Sequence, residues 1–125
     1  MNTSFAVFVA ALGMLGACAS PYAAPPVKTQ SGVLTNPAGM TLYAFDKDTA
    51  GSGKSMCNGD CAKKWPPLEA GASDRASGDY TIITRDDGSK QWAYKGKPLY
   101  LWSKDVKPGD TTGDGVNDVW HAVEP

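Results

Sequence analysis

A short pattern occurs twice in this chain. Residues 42–48 read Leu-Tyr-Ala-Phe-Asp-Lys-Asp and residues 99–105 read Leu-Tyr-Leu-Trp-Ser-Lys-Asp, both fitting L-Y-x-aromatic-x-K-D. A tryptophan follows each copy, Trp65 and Trp120, at nearly the same spacing. Two landmarks displaced together indicate an internal duplication. Each copy is too small to bury a core alone, so the halves have to complete one another. Tyr43 and Phe45 share one face of a strand and Leu42 and Ala44 the other. Both faces are apolar, which predicts a strand covered on both sides.

The remaining signals are those of a turn-rich chain. Glycine and proline contribute 14 and 9 of the 125 residues, which leaves little room for long helices. Strands are expected at Gly32–Thr35, Met40–Asp46, Leu99–Trp102 and Val119–Val123, with a hairpin of Tyr80–Thr84 and Lys90–Tyr94 around Asp87-Gly88. A short helix is expected over Gly59–Trp65, stopped by Pro66-Pro67. The fold class is mainly β: a compact single domain over residues 32–125, made of two pseudo-symmetric β-rich repeats (about 32–68 and 90–125) with at most a short helix.

The N-terminus reads as an address. Residues 1–17 carry no charge, and Phe5–Ala17 is an apolar run of signal-peptide length, too short to span a bilayer. It ends in Leu15-Gly16-Ala17-Cys18, which resembles a bacterial lipobox, in which the cysteine is lipidated and becomes the mature N-terminus. The alternative is plain secretion, with Ala17-Cys18-Ala19 as an A-x-A cleavage site; the lack of a basic residue ahead of the apolar run fits that reading. Residues 18–31 are rich in Pro, Ala and Ser and read as a tether. With Cys18 assigned to lipid, Cys57 and Cys61 remain as a pair, and in an oxidising compartment a disulfide is expected. On one helical turn their Cα atoms would lie about 6 Å apart, within disulfide range. So small a loop constrains little, and its role would be to pin the Cys-Asn-Gly-Asp-Cys turn.

At this point the residues resemble a known family, the bacterial secreted-repeat lipoproteins, marked by a Tyr-x-(Phe/Trp/Tyr)-x-x-Asp motif often found in tandem. The matches are Tyr43-Ala44-Phe45-Asp46-Lys47-Asp48 and Tyr100-Leu101-Trp102-Ser103-Lys104-Asp105, with the Cys57…Cys61…Trp65-Pro66 and Asp114-Gly115-Val116-Asn117…Trp120-His121 stretches following. The resemblance covers roughly residues 32–125 and implies export, usually a lipid anchor, and a repeated β-rich unit. It implies no particular activity.

The candidate site residues divide into three groups. Tyr43, Phe45, Tyr100 and Trp102 could form an exposed aromatic platform, but alternating aromatics opposite apolar faces are expected to pack inward. Asp48 and Asp105, just past the strand ends, are expected to accept backbone N–H groups in turns. The run Asp110–Asp118 invites a calcium-loop reading, with Asp110, Thr112, Asp114 and Asp118 at successive ligand positions and Gly115 at the sharp turn. His121 would then fill the position of the bidentate glutamate, which it cannot replace, so a solvated Asx-rich turn is preferred. Met56, Cys57, Cys61 and His121 offer ligands for copper or haem iron, although a disulfide would remove both thiolates.

With 12 basic and 13 acidic side chains interleaved, no face is basic enough to suggest nucleic acid. No G-x-S-x-G or H-E-x-x-H occurs, and no enzyme is expected. Two functional readings follow. The first is a lipid-anchored envelope protein, facing periplasm or exterior, that binds a small ligand or another envelope protein without catalysis and requires no cofactor. The second is a redox or metal/haem accessory protein using Met56, Cys57, Cys61 and His121. Either site is expected where the two repeats differ.

Overall fold

The structure, a computed structural model, describes residues 24–125. The expected signal peptide, the lipidation site Cys18 and the start of the tether lie outside the described residues. The elements are strands β1 (Lys28–Gln30), β2 (Val33–Thr35) and β3 (Tyr43–Phe45), helix α1 (Asp60–Lys64), strands β4 (Tyr80–Thr84), β5 (Lys90–Tyr94) and β6 (Lys97–Pro98), a 3-10 turn (Val116–Asp118) and strand β7 (Trp120–Ala122). They form three small antiparallel sheets, β1-β2, β3-β7 and β4-β5-β6. The fold is mainly β, as the turn-rich sequence implies.

Two boundaries move. Residues 28–30, read as tether, pair with β2 in register Lys28↔Thr35 around the turn Ser31-Gly32, where both residues have positive φ. All three strand residues are exposed, so no hydrophobic alternation marked them. The second repeat likewise begins ahead of residue 90, because the β4–β5 hairpin is the counterpart of β1–β2. Met40–Asp46 and Leu99–Trp102 are also more broken than expected. Only Tyr43–Phe45 of the first is regular strand, and the second pairs through isolated bridges at Tyr100.

The pseudo-two-fold symmetry can be read from the hydrogen bonds. Leu42 N–H donates to Leu34 O, Leu34 N–H to Val123 O, and Val123 N–H to Leu42 O, at 2.8–3.0 Å. In the other half Leu99 N–H donates to Trp92 O, Trp92 N–H to Leu68 O, and Leu68 N–H to Leu99 O, at 2.9–3.0 Å. Leu34 thus corresponds to Trp92, Leu42 to Leu99, and Val123 to Leu68. The pairing is exchanged: β3 of the first repeat pairs with β7 of the second, and Tyr100 of the second bridges Pro67 of the first. At the centre Tyr43 and Tyr100 exchange both backbone bonds, at 2.8 and 2.9 Å.

This exchange separates two cores. Leu34, Leu42, Leu68, Trp92, Tyr94, Leu99 and Val123 form one, and Tyr43, Cys57, Trp65, Tyr100 and Trp120 the other. Neighbouring residues of one strand, Leu42 and Tyr43, enter different cores, as expected for a strand covered on both sides. Backbone contacts help to hold the long loops down. Gly51 N–H donates to Gly96 O at 2.9 Å, and a Cβ on Gly96 would stand 2.7 Å from Gly51 N, so the approach requires glycine. Among the described residues no helix is long and apolar enough to cross a membrane.

Candidate functional site

The aromatic residues of both motifs build one stack. Phe45 lies on Trp120 (centroids 4.2 Å apart), Trp120 on Trp65 (3.8 Å) and Trp65 on Trp102 (3.9 Å). Tyr43 meets Trp65 edge-on at 5.4 Å and Tyr100 meets Trp120 edge-on at 5.1 Å. The array obeys the pseudo-two-fold, with Phe45 and Trp102 as its equivalent ends. Tyr43 and Tyr100 are fully buried, as expected, whereas Phe45 and Trp102 are only half-buried. The platform and core readings therefore divide between the inner and outer residues of the motif. The roles of Trp65 and Trp120 as the middle of the stack carried no signal beyond their matched spacing.

The motif aspartates cross between repeats. Tyr43 Oη donates to Asp105 at 2.6 Å, and Tyr100 Oη donates to Asp48 at 2.6 Å. Each aspartate also accepts a backbone amide, from Thr112 at 3.0 Å and Met56 at 2.7 Å, the turn role expected of them. What satisfies each phenol from behind differs. Gly113 N–H donates to Tyr43 Oη at 3.2 Å. Tyr100 Oη instead shares a 2.6 Å bond with Ser55 Oγ. Ser55 in turn accepts from the buried Arg85 guanidinium at 2.9 Å, which also donates to Gln91 Oε1 at 2.7 Å and to Cys57 O at 2.6 Å. A directed chain of donors thus runs from the Arg85 cation through two hydroxyls to the Asp48 carboxylate.

Burial, and then the hydrogen bond to a carboxylate, raises both phenols well above their ordinary 10.0. Burial also raises the Asp48 carboxyl, with the Tyr100 and Met56 bonds and the Arg85 charge opposing it. The sign for the phenols follows from linkage: above pH 10 the unfolded chain loses protons that the folded chain keeps. Their stabilising contribution is full below pH 10 and is lost as pH rises beyond it. Urea midpoints measured from about pH 8 upward are expected to fall steeply above pH 10, and less steeply in Tyr43→Phe and Tyr100→Phe. Equal slopes in all three proteins would remove the phenols as the cause.

The loops after the motifs are where the halves differ. Cys57 and Cys61 form the expected disulfide, with Cα atoms 5.2 Å apart. Cys57 precedes helix α1 and is buried in the aromatic core, so the bridge ties the loop to the helix rather than lying within it. The Asp/Gly loop does not gather its carboxylates. Asp110 accepts from the Val106 and Lys107 amides and the Lys107 ammonium, which holds its carboxyl below the usual range. Asp114 caps the Ala122 amide at 2.9 Å, Thr112 donates its hydroxyl to Asp105 rather than facing a cation, and Asp118 ends the 3-10 turn, exposed. The soft-ligand set is likewise not assembled. Both cysteines are bonded to each other, the Met56 side chain is 64% exposed, and His121 Nε2 pairs with Asp46 at 2.8 Å. Among the described residues no three His, Cys, Asp or Glu side chains are grouped to hold a metal ion. The lesser, calcium-loop reading of Asp110, Asp114 and Asp118 therefore finds no assembled ligand set, and each of these carboxylates is committed to a local turn or faces solvent, in line with the preferred turn reading.

The structure opens a cavity of about 430 Å³ instead, along Ala44, Asp46, Asp48, Lys97, His121 and Glu124. By the hydrogen-bond correspondence, Ala44 stands where the other half has Leu101, and His121 and Ala122 stand where it has Pro66 and Pro67. Ala44 is shorter than its counterpart Leu101, and the cavity beside it is walled by three carboxylates, the sole histidine and one lysine. Ala44 and His121 are register partners, so both project to the face opposite Phe45 and Trp120. Of these residues the sequence marked only Asp48 and His121. Asp46 and Lys97 carry no pattern, and Arg85 was read as part of a turn.

Residues 26–69 and 81–124 match a family model described as a secreted repeat of unknown function. The matched segments begin with β1 and within β4, in agreement with the structural correspondence of the two hairpins. Neither a curated protein nor a solved structure matches the chain. Two matched repeats, spanning most of the chain and folded into one exchanged pair, place this protein in the secreted-repeat family of unknown function.

Proposed function

We propose that this is an exported envelope protein, anchored by lipid on Cys18, that acts as a non-catalytic binding module for a small polar ligand. The observation that supports it most is the 430 Å³ cavity beside the His121–Asp46 pair, a volume within the range of small-molecule sites. It lies where the repeats diverge, while the residues they share are spent on the core. His121 and Asp46 have the relation of a base and its orienting carboxylate, yet the cavity walls include no serine, threonine or cysteine to act as nucleophile. Donors and acceptors of both signs instead suit a hydroxyl-rich or zwitterionic ligand.

Two measurements test this. Cys18→Ser is expected to move the protein from the membrane to the soluble fraction; unchanged fractionation removes the anchor. A thermal-shift panel of sugars, polyols and amino acids is expected to yield ligands that stabilise the wild type. Ala44→Leu, which copies the Leu101 of the other half, is expected to abolish those shifts. A panel that leaves the wild type unmoved, or shifts that survive Ala44→Leu, would count against the cavity as the site.

A further inference from the structure

On the opposite face of the β3–β7 sheet, a shallow groove of about 450 Å³ runs along the edge of the aromatic stack, between α1 and the 3-10 turn. Its floor is Phe45, Trp120 and Trp65, and its walls include Lys47, Lys64 and Asn117. The charge pattern differs from that of the cavity. No carboxylate lines the groove, and both of its lysines are exposed. Other lysines of the chain are paired, Lys54 with Asp86, Lys63 with Asp60 and Lys107 with Asp110. Neither Lys47 nor Lys64 takes part in an ion pair among the described residues.

The floor has the same polarity. The three rings are nearly parallel, with interplanar angles of 9° and 3°, and all three line the groove, Phe45 the most exposed of them. Ring edges carry the positive part of the aromatic quadrupole, and they pack well against the face of another ring. Two unpaired ammonium groups lining the same groove as an aromatic surface therefore favour negative charge joined to a flat apolar body. Asn117 adds an amide donor at the wall.

We infer that this groove binds a small organic anion of the aromatic carboxylate type, its ring against the half-buried Phe45 at the end of the stack and its carboxylate at Lys47 and Lys64. The site goes beyond the cavity reading and does not depend on it. A membrane surface is a poorer fit, because the groove lies between two short elements and offers no broad apolar face.

The test is titration of the oxidised protein with 2-naphthoate, followed by amide chemical-shift mapping. Saturable binding is expected, with shifts concentrated around Lys47, Lys64 and Asn117. Lys47→Gln/Lys64→Gln is expected to weaken it by about tenfold, which two lost ion contacts in a solvated groove supply. Both lysines are exposed, so the variant keeps its fold, checked by its melting curve. Lys63→Gln, on the same helix but outside the groove, and Ala44→Leu, in the cavity, are expected to leave affinity unchanged. The uncharged 2-naphthamide is expected to bind more weakly, and added salt to weaken the carboxylate alone. Several results would overturn the inference: no saturable binding, equal affinity for amide and carboxylate, an unaffected double variant, or shifts mapped to the His121 cavity. Binding to phosphatidylglycerol vesicles without binding of 2-naphthoate would overturn it as well, in favour of a membrane contact.

Discussion

Trp120→Ala is expected to destabilise the domain by about 3–5 kcal/mol, the cost of truncating a large aromatic in a packed core. Both faces of this ring are covered, by Phe45 at 4.2 Å and Trp65 at 3.8 Å, and Tyr100 meets it edge-on. Loss of the ring removes three aromatic contacts at once and opens a cavity between the two repeats. Small domains hold only about 5–15 kcal/mol in total. The variant is therefore expected to melt on the order of 20 °C lower. Trp102, at the end of the stack, is half-buried and has one ring partner, so Trp102→Ala is expected to cost less than half as much. Thermal melts of both variants decide the matter. Equal losses would mean that the stack is not a single core with a middle and ends.

The second large effect is expected at Arg85. It is 5% exposed, and its guanidinium reaches Ser55, Gln91 and the Cys57 carbonyl. Arg85→Met preserves much of the volume but leaves the Gln91 and Cys57 oxygens without those donors and removes a charge that opposes burial of Asp48 through space. Hydrogen bonds to a charged group contribute about 1.5–3 kcal/mol each, and orphaned buried acceptors add their own cost, so a loss of about 3–4 kcal/mol is expected in urea unfolding. Arg85→Lys is expected to recover only part of it, since one ammonium cannot reproduce the planar fork. A loss under about 1 kcal/mol for Arg85→Met would show that the loop is held by the disulfide and not by this side chain.

These two residues show what the sequence could reveal. The duplication, the mainly β class and the burial of Tyr43 and Tyr100 were legible, because repetition and alternation are one-dimensional signals of a periodic backbone. The disulfide was legible from compartment and cysteine number. The exchange of strands was not. Equal spacing says that two halves are alike, but not whether Tyr43 pairs with its own tryptophan segment or with that of the other half. Arg85 was missed because it begins a hairpin turn, where an arginine is ordinarily solvated; its burial depends on Ser55 and the Cys57 carbonyl, which are distant in sequence. The Asp110–Asp118 run was legible as an Asx-rich turn rather than as a cation loop. Its composition suits a cation, but its carboxylates are used locally, on Val106, Lys107 and Ala122. The cavity was invisible because it lies beside a short side chain, Ala44, where the other half has Leu101, and that correspondence is read only from the fold. Strand β1 was missed because all its residues face solvent and only its partner makes it a strand.

The crossed bonds, Tyr43 to Asp105 and Tyr100 to Asp48, have a consequence for assembly. They have the arrangement of an isologous dimer, in which each subunit supplies the tyrosine that the other's aspartate accepts. Here the two-fold is written into one chain, and the linker between α1 and β4 replaces association with an intramolecular step at an effective concentration in the millimolar range. A lone repeat is therefore not a smaller version of this protein. It carries an unfilled acceptor, an unpaired strand edge and half of an aromatic stack, and it completes itself only by finding a second copy.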